Sequence, residues 1–447
     1  MKEKLLRVAL PILCLGLVQC TANTTTTDGP PTAFALWRFT AAGALDTTFP
    51  GGAPGQKGFT FTNIASGVSS FVLAAAIQPA DSKIVVGGSA GFSGQGAIAL
   101  ARYNSNGTLD TTFNSTGTVP GTVQAPLSTP AAAATLSVQG DGKIVVAAVT
   151  FAPSTSVTGI ALLRYNTNGT LDSAFGTGGL VNNATIGPGL AGDTCALALQ
   201  LDGKILVAGA SQNGNVVVYR YSGADGSADM GFGTNGSVTT NLGAGNVAMS
   251  PAMGLLSDNS IVVATGNSLD QVLLHYTTAG ALDLTYGGTA NGIVKTDAGG
   301  QNFANALAIQ SDDKIVVVGH ANVSTNTSDI SLTRYNANGT LDTSFVGPVG
   351  NPVAGVVVTN LGAFENVFSV ALQDPAATNT NILVSGNVGF GNPQALLLRY
   401  DTTGKLDTTT FNSPSGFFVS QLFGPSIIAS GNVVLQTSSG IVVAGYD

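Results

Sequence analysis

Seven copies of one short pattern constrain this 447-residue chain more than any other feature in it. The pattern is Arg, an aromatic, a short polar stretch, Gly, one residue, Leu, Asp, two small residues and a second aromatic. It runs Arg38-Phe39 with Gly43, Asp46 and Phe49, then Arg102-Tyr103 with Gly107, Asp110 and Phe113, then Arg164-Tyr165 with Gly169, Asp172 and Phe175. The fourth copy, longer by one residue, is Arg220-Tyr221 with Gly226, Asp229 and Phe232. His275-Tyr276 with Gly280, Asp283 and Tyr286 is the fifth, and Arg334-Tyr335 with Gly339, Asp342 and Phe345 the sixth. Arg399-Tyr400 with Gly404, Asp407 and Phe411 closes the series. Self-similarity at a period near 60 residues marks a repeat architecture, in which no unit buries its apolar face alone.

Between the copies lies a second signature: an apolar strand ending at Gln, a polar turn, and an apolar run ending at Gly or Ala. Examples are Ala76-Ile77-Gln78 with Lys83-Ile84-Val85-Val86-Gly87, and Leu199-Gln200 with Lys204 to Gly209. Each unit therefore carries four strands: a (ending at the Gln), b (the Ile-Val-Val run), c (ending at Arg-Tyr) and d (after the second aromatic). An Asp-Gly turn, or a relative of it, joins a to b as a hairpin. Strands a and b are continuously apolar, so both of their faces are expected to be covered. Strand a is rich in Ala, as the innermost strand of a ring requires where units converge.

The phase of the repeat predicts closure. The chain enters the pattern at c and d, from Phe34, and leaves it at a and b, with Gln436 and Ile441 to Gly445. Joining the two ends removes two open sheet edges. The expected fold is thus all-β: a seven-bladed propeller, four strands per blade, with the N-terminal strands completing the C-terminal blade. An open solenoid would need polar caps, and an outer-membrane barrel would need alternating strands; neither is seen.

The string Arg-Tyr-Asn-x-Asn-Gly-Thr-Leu-Asp-x-x-Phe, followed by Gln-x-Asp-Gly-Lys-Ile-Val-Val-Ala, resembles the delta-60 repeat of bacterial surface and secreted proteins. The resemblance runs from about residue 33 to the end. It implies an extracytoplasmic propeller module and brings with it neither a reaction nor a ligand. The departures are the Gly226 and Met230 region and His275.

The first residues support export. Lys2, Lys4 and Arg7 precede the apolar stretch Val8 to Val18, too short to span a bilayer. Leu17-Val18-Gln19-Cys20 resembles a lipobox, which makes Cys20 a lipidation candidate, although Gln19 departs from the small residue usual there; cleavage after Ala22 is the alternative. Residues 1–20 read as a signal, 21–32 as a Thr/Pro-rich tether and 33–447 as the propeller. No later segment reads as a transmembrane span, so the expected place is the cell surface, the outer membrane by a lipid anchor, or the medium. Cys14 falls within the signal, and Cys195 sits in an apolar strand as a core residue, so no disulfide framework is available.

Charge excludes one partner class. Charged residues make up 9% of the chain, with a formal net charge of −8. Sixteen Lys and Arg so dispersed cannot form a nucleic-acid stripe.

The repeated acids, Asp46, Asp110, Asp172, Asp229, Asp283, Asp342 and Asp407, are the most tempting site. A carboxylate in a turn, eight or nine residues after Arg38, Arg102, Arg164, Arg220, His275, Arg334 or Arg399, reads as a structural partner of that side chain and of backbone N–H groups. The functional rival is a calcium loop on Asn166/Asn168/Asp172 and its equivalents, which offers one carboxylate where hard cations want several. His320 reads as a solvated b–c loop residue. No nucleophile elbow, zinc-spaced cluster or phosphate cradle is present, so neither a catalytic residue nor a cofactor is expected. The a–b and c–d turns repeat, while the b–c and d–a connections vary and emerge together on the other face. That face is the expected recognition surface of a non-catalytic module, for a glycan, a peptide or an envelope protein. The alternatives are a propeller hydrolase or lyase, which needs acids or His near the axis, and a purely structural surface protein.

Overall fold

The computed structural model describes residues 33–446 except 50–56, 65–68, 92–95, 126, 128–130, 152–156, 183–194, 212, 244–247, 268, 322–326, 349–352, 378–379, 390–393, 420–432 and 437–439. The proposed signal, Cys20 and the tether lie outside the described residues.

The chain opens with β1 (Phe34–Phe39) and β2 (Phe59–Thr62). Blade 1 holds β3 (Ser70–Ile77), β4 (Ile84–Ala90), β5 (Ala97–Tyr103) and β6 (Thr122–Ala125). Blade 2 holds β7 (Ala131–Val138), β8 (Ile144–Phe151), β9 (Val157–Tyr165) and β10 (Leu180–Asn182). In blade 3 these are β11 (Ala196–Leu199), β12 (Ile205–Ala210), β13 (Val216–Tyr221) and β14 (Ser237–Thr240). Blade 4 comprises β15 (Met249–Leu255), β16 (Ile261–Gly266), β17 (Gln271–Tyr276) and β18 (Ile293–Thr296). Blade 5 comprises β19 (Phe303–Ile309), β20 (Ile315–Ala321), β21 (Asp329–Tyr335) and β22 (Val356–Thr359). Blade 6 comprises β23 (Glu365–Leu372), β24 (Ile382–Val388), β25 (Gln394–Tyr400) and β26 (Phe417–Val419). The chain closes with β27 (Val433–Gln436) and β28 (Gly440–Tyr446).

Each blade is one antiparallel sheet in the order a-b-c-d, and the seventh has the order β2-β1-β28-β27. Phe34 pairs with Tyr446 and Phe39 with Ile441, so the two ends of the chain share one ladder. The a strands touch in a closed round, β3 to β7, β11, β15, β19, β23, β27 and back to β3. The protein is therefore a seven-bladed propeller, with seven strands a around its axis.

The apolar runs of strand b explain the core. Along β8, Ile144, Val146 and Ala148 pack toward blade 1, and Val145, Ala147 and Val149 toward blade 3. A strand sandwiched between neighbours needs apolar residues on both faces, so it does not alternate. Each such Val or Ile contributes about 1.5–3 kcal/mol of burial. Strand a departs from the expectation. Residues of β11 are all half-buried, and in β19 only Phe303 and Ala304 are buried. One reason lies in the geometry: strand a borders the axis, where no further strand covers its inner edge.

Candidate functional site

The two faces of the ring differ, and the repeated motif builds the first, where the a–b and c–d turns emerge. Arg102 at the end of β5 donates from Nε to Asp110 Oδ2 at 2.7 Å. A terminal nitrogen donates to Thr167 O in the next blade's c–d turn at 2.5 Å. The guanidinium stacks over Phe113 at 4.5 Å. Asp110 Oδ1 accepts from the Thr112 amide and hydroxyl at 3.1 and 2.6 Å, closing a local turn. Lys83 stands 3.1 Å from the same carboxylate. Burial opposes the charge, but Thr112, Lys83 and Arg102 together hold the Asp110 carboxyl at about 2.

The same contact joins Arg38 to Asp46, Arg164 to Asp172, Arg220 to Asp229 and Arg334 to Asp342 at 2.7–2.8 Å, and Arg399 to Asp407 at 3.0 Å. Arg164 reaches Gly223 O, Arg220 reaches Thr278 O, and Arg399 reaches Ala41 O, each on the following blade. The second aromatic completes this interblade latch. Gly107 has φ +89°, and a Cβ there would enter the Phe49 ring of the preceding blade. Only glycine meets both demands.

In the fifth copy, His275 Nδ1 lies 3.2 Å from Asp283 Oδ2 and Nε2 lies 2.9 Å from Ser260 Oγ. Its ring stacks on Tyr286 at 4.7 Å. Ser260 stands where Lys83, Lys143, Lys204 and Lys314 stand in other copies, so the shorter imidazole is matched by a shorter neighbour. In the calcium-like turns, Asn168 Oδ1 accepts from Thr170 N and Oγ1 at 3.1 and 2.8 Å, and Asp172 Oδ1 from Ala174 N. Turn donors thus already occupy oxygens that a cation would need. Cys195 is buried between blades 2 and 3, and burial pushes its thiol up to about 12.

The opposite face, formed by the b–c and d–a connections, carries a group of polar residues that sequence reasoning missed. His320 does not lie in a solvated loop: it belongs to β20, pairs with Phe303 and Ile330, and is fully buried. The preceding Val-Val-Val-Gly run simply extends through it. Its Nε2 accepts from Asn305 Nδ2 at 2.6 Å, and Nδ1 lies 3.3 Å from Ser328 Oγ. Asn305 is the extra residue of a bulge between Ala304 and Ala306, which aims its amide away from the ladder. The same amide donates to Val367 O of blade 6 at 2.7 Å, so it ties two blades. Burial lowers His320 to about 4, leaving the imidazole neutral. Ser328 is 1% exposed, and the far ring nitrogen holds an amide instead of a carboxylate. A neutral tether fits this pair, and a serine-type proton relay does not.

Glu365 begins β23 and is fully buried. Its Oε1 accepts from Leu361 N and Ala363 N at 3.2 and 3.0 Å, and its Oε2 has no hydrogen-bond partner. Burial raises the carboxyl to about 7, with the Asp329 charge adding to the rise and the two amides opposing it. In blade 4, Asp297 is exposed and accepts from Gly299 N and Asn302 Nδ2 at 2.7 and 3.2 Å. Asn302 is fully buried; its amide also donates to Leu269 O at 2.8 Å and Gly300 O at 3.1 Å, while Oδ1 accepts nothing. One signal was visible beforehand: His320 follows directly on an apolar run in β20.

Five segments, 23–49, 80–113, 139–175, 200–232 and 310–345, match the family described as a domain of unknown function (DUF5122) beta-propeller. Each match ends at the second aromatic of a copy, and the fourth copy is among them. No curated protein sequence matches the chain. Among solved structures, a protein from Lactobacillus plantarum is 17% identical, with a TM-score of 0.47, covering 92% of this chain and 99% of that one. An ulvan lyase of polysaccharide lyase family PL25 is 12% identical (TM-score 0.48; 83% and 88% covered). Virginiamycin B lyase from Staphylococcus aureus is 10% identical (TM-score 0.42; 84% and 94% covered). None of these similarities bears on what the chain binds or does.

Proposed function

We propose that the protein is an extracytoplasmic, non-catalytic binding module whose b–c/d–a face is its recognition surface. The observation that carries this reading is the fully buried, unpartnered acceptors Glu365 Oε2 and Asn302 Oδ1 on that face. A buried acceptor without a donor costs about 1–3 kcal/mol, and binding sites are where such a penalty is relieved. The basic, apolar and tether-like start of the chain supports export, and Cys20 supports a lipid anchor. Screening the full chain on glycan and peptide arrays tests the reading. Asp297→Asn should weaken any ligand found, and Asp401→Asn in a c–d turn should not. The opposite pattern would move the surface to the other face.

A hydrolase or lyase is the second reading, favoured by one observation: a carboxyl held near neutrality beside a buried histidine. Polysaccharide and ester turnover that Glu365→Gln abolishes would establish it.

A further inference from the structure

We propose that the b–c/d–a face of blades 4 to 6 takes a polycationic partner, a basic peptide segment whose lysine or arginine head groups meet Asp270 and Asp297, on the face that also holds the buried carboxyls of Asp329 and Glu365. This rests on the b–c/d–a face being the recognition surface and names the partner's chemistry.

Charge is sorted between the faces. From residue 33 onward, every Lys and Arg except Lys295 lies in, or at the strand ends beside, the a–b and c–d turns. Asp270 in the b–c connection of blade 4, Asp297 in the following d–a connection, Asp329 at the start of β21 and Glu365 at the start of β23 all lie at the other end of the blades. The repeat acids are each paired with Arg or His. Among the described residues, Asp270, Asp297 and Glu365 have no ion pair.

The buried groups point the same way. The Asn302 amide spends its donors on Leu269 O, Gly300 O and Asp297, leaving only an acceptor. Glu365 likewise has an acceptor to spare. The face is short of donors and of positive charge together. A neutral sugar would supply only the first, an anion would meet carboxylates, and an ammonium or guanidinium supplies both. Acids on three successive blades suit an extended chain of cations better than one small cation.

Glu365 adds a signature. The charged or titratable groups around it are Asp329, the neutral His320 and Tyr400. Its charge therefore develops as pH rises toward and beyond about 7, and cation binding strengthens in that direction.

Calorimetric titration of the full chain with hexalysine at low salt tests the proposal. The double variant Asp270→Asn/Asp297→Asn should bind about tenfold more weakly, and Lys295→Glu about threefold more tightly. Asp401→Asn on the other face should change nothing. Glu365→Gln should weaken binding at about pH 8 and leave it unchanged at about pH 5.5, where the carboxyl is protonated. Circular dichroism confirms that each variant is folded, and Asp297 and Lys295 are exposed, so their substitution does not threaten the core. Absence of hexalysine binding, or equal affinity for spermine, would overturn the proposal. Should another ligand still map to Asp297, the recognition surface would stand without the basic peptide. Loss of hexalysine binding on Asp401→Asn alone would overturn both.

Discussion

In blade 2, Asp172 meets Arg164 at 2.7 Å and Lys143 at 2.9 Å, and caps the Ala174 amide. In blade 6, at the other face, Glu365 is also buried but meets no cation, and one of its oxygens has no partner. The first carboxylate is tuned to stay charged, with Lys143 the largest influence on it. The second is tuned toward neutrality by its own burial. Repetition explains the contrast. The repeated turn supplies its own carboxylate with partners, whereas Glu365, present once, keeps an oxygen without one.

The largest effect expected from breaking the scaffold follows from closure. Deleting residues 33–64 removes β1 and β2 and strands β27 and β28 as a two-stranded remnant, which is not stable alone. The expected result is loss of the cooperative melting transition; a chain that still melts cooperatively, with only a slightly lower midpoint, would show that the ring does not need its closing ladder.

Phe113→Ala is next. The ring is fully buried beneath Arg102 and against Gly169 of the following blade. Truncation should destabilise by about 3–5 kcal/mol. Trp37, the sole tryptophan and buried in β1, reports the unfolding in urea.

The pH response separates the faces further. Glu365 holds its proton more tightly folded than unfolded, so its stabilisation is full below the ordinary 4.5 and is lost as pH rises through about 7. His320 acts with the opposite sign, since its folded value is depressed: its contribution is full above 6.5 and is lost as pH falls through about 4. Melting of Glu365→Gln and of His320→Gln across that window should remove one slope each.

The smallest effect belongs to His275→Arg. An arginine here would stack on Tyr286 as its counterparts stack on phenylalanine, worth about 0.5–1 kcal/mol. Ser260, which now meets the imidazole at 2.9 Å, would keep the bond that its hydroxyl donates to Asp258 Oδ1. The midpoint should stay within a degree or two of the parent's, and a large fall would mean that this copy is specialised.

Much of the fold was legible because periodicity and phase carry it. The six Arg-to-Asp spacings, the one His-to-Asp spacing and the Asp-Gly or related turns follow from residues close together in the chain, and the split blade from the phase of the repeat at its two ends. The polar group at the other face was not legible, for a physical reason. His320 comes from β20, Asn305 from a bulge in β19, Ser328 from the connection before β21 and Glu365 from the start of β23, and only the packing of blade 5 on blade 6 unites them. A histidine after an apolar run reads as a loop residue when the next strand boundary is unknown; the ladder with Ile330 shows that β20 continues to Ala321. Strand a misled differently, since an apolar run does not distinguish a covered face from an axial one.

One face thus holds the ring together, while on the other the buried acceptors Glu365 Oε2 and Asn302 Oδ1 lack donors. Thermal melting of Asp172→Ala and Glu365→Gln at about pH 8, side by side, separates the two faces. Asp172→Ala should melt lower, by about 1–3 kcal/mol and equally with or without EDTA, and Glu365→Gln should melt unchanged or higher, because the amide removes a buried charge. A fall in Glu365→Gln as large as that in Asp172→Ala would make Glu365 another scaffold residue and contradict the division between the faces.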